Sequence, residues 1–485
     1  MEIPMVRPLF NLLLATICLT AAAADAKATE AAAPFAAETV ADRNSALGAL
    51  RDGSPTPDAA MTLATWQAFS SIERFGQALH HHGFRSPRTA LVPLMRLPIP
   101  ENQDYEALTY ESWRDILAEL VAGLDEAKSM FEAIDSDAGI ALDVNLKALR
   151  FDLDADGMLD ESESVAAIFE AINNRGRIVR DRGSDASATE SPALSFRFDR
   201  ADAYWLQGYA NFLTANARMW LAHDFSSTFE SSFQLFFPQT GIESQVPAEA
   251  DTPDRRLADV IRENLYLQLK FAKSAEAKEK LTRQIEALTE AERIRQQLEA
   301  KAAFDKELER IRRGPGRSLI GKEIFDAISL IHTVNWPVAD ARARARVRLD
   351  LLEMVRLSRL NWQSIRSETD NEREWLPGPQ QQGPHPLTNL EVTDATVAAW
   401  HEALDLFEAV LEGRTLVPHM RFEDMGMNLK RFFEEPAPFD LVLTLTGPGA
   451  LPYLETGEQA SQRQWHEIGR AFGRNGLFAY AIWFN

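Results

Sequence analysis

Twelve consecutive residues, Asp152 to Glu163 (DLDADGMLDESE), hold six carboxylates and neither lysine nor arginine. Counted from Asp152, five of the six acids fall at positions 1 (Asp152), 3 (Asp154), 5 (Asp156), 9 (Asp160) and 12 (Glu163), the sixth is Glu161, and Gly157 stands at position 6. So dense a set of oxygen donors suits a hard cation. Calcium takes roughly six to eight oxygens at flexible geometry, and a short chain can wrap it only by turning sharply between early aspartates and a late, two-oxygen glutamate. Glycine permits such a turn. Zinc and copper favour imidazole or thiolate, while magnesium prefers a smaller octahedral cage with retained water. Carboxylates crowded this closely repel unless a cation sits among them. The competing reading is an acidic, solvated turn that caps the helix expected at ESESVAAIFEAI.

These positions resemble the EF-hand calcium loop residue for residue. The resemblance implies calcium as the bound ion. It also implies that Asp152, Asp154 and Asp156 each give a side-chain oxygen, Met158 its backbone carbonyl, Asp160 an oxygen directly or through water, and Glu163 both carboxylate oxygens. Leu159 fits the apolar position through which such a loop packs against a neighbour. The resemblance covers only the loop and its flanks. The incoming segment LDVNLKALRF is short for a full helix, with Val144, Leu146, Leu149 and Phe151 mixing strand and helix spacing, whereas Val165, Ile168, Phe169 and Ile172 mark a clear exiting helix. No second loop follows the pattern: DSDAGIALDVNL begins at Asp135 and Asp137 but has Gly139 at position 5 and Leu146 at the glutamate position. A lone loop is expected to lock local structure, with a dissociation constant of about 0.1 to 1 mM.

Other arrangements fall short of a reaction. GRSLIGKE, Gly316 to Glu323, has phosphate-loop spacing up to Lys322 but places Glu323 where Ser or Thr would hold magnesium. WHEALD sets His401 and Asp405 one helical turn apart, a metal-like spacing that equally describes a partly packed surface histidine beside Trp400 and Leu404. HHHG, His80 to Gly83, suits a helix end as well as a metal. There is no G-x-S-x-G elbow, and pairs such as Glu434 and Glu435 are common among 72 acids. The aromatics are expected mostly in the core. A binding or scaffolding role is favoured over catalysis. The alternatives are a hydrolase with an unrecognised active site and an adaptor acting through residues 273–313.

The elements that must position the loop read as helices. Trp113, Leu117, Leu120, Leu124, Phe131 and Ile134 recur at helical steps, as do Trp205, Tyr209, Phe212 and Trp220. The clearest case is Val397, Trp400, Leu404, Phe407 and Leu411, with Thr393 or Asp394 as cap and Gly413 as terminator. Lys273 to Arg313 is rich in Glu, Lys, Arg and Gln with a thin apolar stripe, which predicts a charged helix or coiled-coil-like arm able to meet a protein partner. LPGPQQQGPHPL, Leu376 to Leu387, is a loop and a possible boundary, and DLVLTLTGPGALPYL fits a short strand or a helix equally. The expected fold is mainly α, with minor strand content near the C-terminus.

Residues 1–24 resemble a signal peptide, with Arg7, the apolar run LFNLLLATICL and Ala22 to Ala24 as a cleavage site. Residues 25–60 are rich in Ala, Thr, Ser and Pro and predict a low-complexity linker, followed by a helical region at 61–272, the charged arm at 273–313 and a C-terminal helical region at 314–485 that could pack with 61–272. Cys18 is the only cysteine and would leave with the signal. The mature protein is therefore expected to be periplasmic or secreted, without disulfides and without a stable membrane span. A formal charge of −21 argues against nucleic acid as a partner.

Overall fold

The structure is a computed structural model that describes residues 30–86, 97, 99–135, 139–168, 194–240, 265, 268–269, 278–285, 325, 327–368, 373–381, 391–435, 437–473, 477, 480–481 and 484. The fold is mainly α with minor strand content. In chain order its elements are α1 (Val40–Asp52), α2 (Pro57–His81), α3 (Tyr110–Glu132), β1 (Leu142–Asn145), β2 (Ser195–Phe198), α4 (Arg200–Leu221), α5 (Ser226–Ser232), β3 (Asn335–Trp336), α6 (Ala341–Ser367), α7 (Asp394–Leu411), β4 (Val417–His419), β5 (Phe422–Met427), α8 (Leu429–Glu434), β6 (Phe439–Asp440), α9 (Leu441–Thr446), β7 (Leu454–Glu455) and α10 (Gln462–Ala471). The long helices begin on residues whose side chains accept a first-turn amide: Thr39, Thr56, Thr109, Asp199, Asp340 and Thr393. At α7 the cap is Thr393 and the chain turns out at Gly413 with φ +72°, as the spacing predicts.

Helices α2, α3, α4 and α6 pack successively, α7 lies against α6, and α10 lies against α7. One apolar cluster runs from Phe35 through Trp66, Phe131, Leu206 and Trp362 to Phe484, so helices before and after residues 273–313 share a core. β1 pairs antiparallel with β2 in the register Leu142 to Phe198. Near the C-terminus β4, β5 and β7 form a three-stranded antiparallel sheet, and β3 pairs with β6. The stretch Leu441–Thr446, which fits either element on paper, is helical.

Two expectations need correcting. Residues 30–56 are not a loose leader: a short helical turn and α1 place Ala31, Phe35, Leu47 and Leu50 in the interior, and the Arg43 guanidinium is buried too. Small side chains make this segment look low in complexity, yet they let it lie close against α2. The aromatic stripe on α4 is also only partly its buried face: Trp205, Tyr209 and Trp220 are half-buried. Phe212 is exposed, while Ala203, Ala210, Thr214 and Ala217 are buried, because α4 is flanked by both α3 and α6 and small residues allow close approach. The signal-like residues 1–24 and nearly all of 273–313 lie outside the described residues. Among the described residues no helix is long and apolar enough to cross a membrane.

A charged knot ties this bundle together. Asp350 of α6, almost fully buried, binds Arg218 of α4 and lies 3.3 Å from Lys128 of α3, and both cations also bind Asp125. Removing Asp350 leaves two largely buried cations to share the partly exposed Asp125. Asp350→Ala is therefore expected to lower stability by about 3–5 kcal/mol in urea unfolding, and a loss within experimental error would show that the knot is solvated.

Candidate metal centre

The acidic loop is assembled from its base. Just before it, Phe151 packs edge-on against Trp66 and Phe69 of α2. The base is closed by two backbone bonds, from the Phe151 N–H to the Glu163 carbonyl at 3.1 Å and from the Val165 N–H to the Leu149 carbonyl at 2.9 Å. Between them the chain reverses through Ala155 (φ +64°) and Gly157 (φ +85°). Open space surrounds Gly157, so glycine is required there by conformation and not by crowding. Residues 165–168 begin the expected exiting helix, whose remainder lies outside the described residues. No incoming helix precedes the loop. Its place is taken by β1 and by one face of α2, where residues spaced three and four apart meet the loop. Gln77 donates to the Asp152 carbonyl at 2.7 Å, Leu153 covers Gly76, and Glu73 stands beside Asp152. Glu73 is itself held by Arg43 of α1 through two bonds of 2.8 and 2.6 Å, and the guanidinium lies 4.8 Å from the Trp66 ring.

The outer side of the loop is held as well. The Leu159 N–H donates to the Glu38 carbonyl at 3.2 Å, and the Val40 N–H donates to the Gly157 carbonyl at 3.1 Å. Leu159, expected to meet a neighbour, meets the residues that lead into α1.

Among the described residues, Asp152, Asp154 and Asp156 are the one group that could gather around a metal, with ligand oxygens all within 4.8 Å of one another. Asp152 is only 4% exposed, and its Oδ1 has no hydrogen-bond partner among the described residues. A buried carboxylate oxygen without a partner is expensive, and a cation is the group that satisfies it best. Asp154 accepts the Asp156 N–H at 3.2 Å, and Asp156 accepts the Met158 N–H at 2.7 Å. Glu163, buried, accepts the Leu153 N–H at 2.8 Å through Oε1 and the Asp160 N–H at 3.4 Å through Oε2. Each of its oxygens keeps a second lone pair. Met158 and Asp160 are exposed.

The local electrostatics are unfavourable without a counter-charge. Burial pushes the Asp152 carboxyl above its usual range, the charges of Asp154 and Asp156 push it further, and the amides of Gly157 and Asp156 offset only part of the rise. Burial likewise raises Glu163 to about 7, with Asp154 and Asp152 adding to the effect. Glu73 is raised by burial against the pull of Arg43.

Arg43, Glu73, Gly76, Gln77 and Glu38 therefore position the loop without appearing in its motif. The only trace they leave in the sequence is the helical spacing of Glu73, Gly76 and Gln77. The other candidates are not brought into metal-like clusters. Asp405 is bound by Arg359 at 2.7 Å, and burial together with the charges of Arg359 and Arg366 lowers the pKa of His401. His81 lies 3.3 Å from Glu106, and His82 approaches the Glu106 carbonyl. The phosphate-loop-like residues 316–323 lie outside the described residues.

The folded chain holds the Glu163 proton more tightly than the unfolded chain, whose carboxyl titrates near 4.5. The protonated form thus adds stability that is complete below about 4.5 and is lost as pH rises through about 7. In chelator, the melting temperature of the wild type relative to Glu163→Gln should fall steadily between those two values; a constant difference would mean that Glu163 is solvated.

No protein-family model, no curated protein and no solved structure matches this chain.

Proposed function

We propose that this is an exported calcium-binding protein in which the loop from Asp152 to Glu163 holds one ion as a structural rivet, within a fold whose wider role is binding or scaffolding. The observation that carries the reading is the buried, unpartnered Oδ1 of Asp152, set within reach of Asp154 and Asp156. Side-chain oxygens of those three residues would bind the ion, with the Met158 carbonyl, Asp160 directly or through water, and the remaining lone pairs of Glu163 completing an all-oxygen shell. Such a donor set favours calcium over zinc, and its many oxygens favour calcium over magnesium, which keeps several waters.

A structural role suits this loop better than a signalling one. The backbone groups through which it could pair with a second loop are already bonded to Glu38 and Val40. An ion there would fix three things together: β1 through the loop base, α2 through Glu73 and Gln77, and the entry to α1 through Gly157 and Leu159. If the affinity is about 0.1 mM, calcium at about 1 mM would add roughly 1.4 kcal/mol of stability. Millimolar calcium is what an exported protein meets, which agrees with the signal-like first 24 residues.

The test is thermal melting in calcium and in chelator for the wild type and Asp152→Asn. Calcium should raise the wild-type melting temperature by about 1–2 °C. The variant should lose that increment, yet melt higher than the wild type in chelator because one buried like charge is gone. An increment of equal size in both proteins would place the ion elsewhere, and no increment in either would remove calcium from the account.

A further inference from the structure

We infer that the cleft between α6 and α7, lined by Arg359, Trp362, Gln363, Arg366, Ser367 and His401, is a binding site for a small oxyanion, a carboxylate or phosphate group carried by a small molecule. The cavity measures about 470 Å³ and has no carboxylate in its lining. Five of the six residues come from one face of α6, at steps of three and four, and His401 faces them from α7. In a chain of formal charge −21, two guanidinium groups converging on one cleft need an explanation.

Partners within the protein account for only part of that charge. Arg359 bonds Asp405 and Glu408 at 2.7 Å each, both through Nη2, which leaves its other nitrogens for a ligand. Arg366 is exposed and has no carboxylate within ion-pair distance among the described residues. A basic residue in the last turn of a helix complements the helix dipole, which would account for Arg366 alone, but Arg359 stands two turns further back. Trp362, fully buried, closes the cleft from beneath. The guanidiniums of Arg359 and Arg366 are the donors that an oxygen-rich anion would meet there. Burial holds the His401 imidazole towards its neutral form, with Asp405 pulling its pKa up and Arg359 and Arg366 pushing it down. A nearby anion would draw a proton onto it and add a third donor.

The site is separate from the calcium loop, so its test does not depend on that reading. Isothermal titration of the full chain in calcium-free buffer, below its melting temperature, uses sodium phosphate and sodium succinate as probes, with sodium chloride at matched ionic strength as the reference. Saturable heat with either oxyanion, weakened at least tenfold by Arg366→Gln while the melting temperature stays unchanged, is the expected result; which probe binds names the head group. His401→Gln should weaken the same binding. Equal binding by wild type and Arg366→Gln, heat no larger than that from chloride, or no heat at about 10 mM of either probe would overturn the assignment.

Discussion

Burying the Asp152 carboxylate beside Asp154 and Asp156 costs free energy twice, once through desolvation and once through repulsion. The surrounding structure reduces the cost without removing it. Amides of Gly157 and Asp156 approach the Asp152 carboxylate, while on the opposite side Glu73 needs the whole Arg43 guanidinium for itself. Asp152, Glu163 and Glu73 are all pushed towards their protonated forms by this burial. One divalent ion would reverse the balance for the first two, and that is the physical basis of the calcium proposal.

A chain that places such a loop on its surface must also keep it from unravelling. This one uses elements far apart in sequence. Gln77 reaches the Asp152 carbonyl across 75 residues, and Glu38 and Val40 bond to Leu159 and Gly157 from a region that composition alone suggests is a linker. The backbone edge that a second loop would occupy is thereby used within the same chain. The loop thereby becomes part of the tertiary structure, joining a small two-stranded antiparallel layer (β1 with β2) to the first two helices.

The gathering of Asp152, Asp154 and Asp156 could be read in advance because acids at alternate positions ahead of a turn-permitting glycine must converge. Helix α7 could be read because its apolar period, Thr393 cap and Gly413 exit agree. Other features left weaker marks. The clamp from Glu38 to Val40 works through backbone groups, which carry no side-chain signature. The buried face of α4 was obscured because close packing on two sides selects Ala and Thr, while Trp205, Tyr209 and Trp220 are half-buried at its flanks and Phe212 is exposed. The His401 cleft joins two helices separated by many residues, so a window around WHEALD could show Asp405 as a possible metal partner but not Arg359, which holds it instead.

The most direct measurement of the central claim is the anomalous difference map of a crystal grown with millimolar calcium. The account predicts one strong peak at about 2.3–2.6 Å from oxygens of Asp152, Asp154 and Asp156, with Asp152 Oδ1 among its ligands. A map from well-ordered crystals with no peak above noise in this loop, and Asp152 satisfied by a water or a neighbouring side chain, would contradict it.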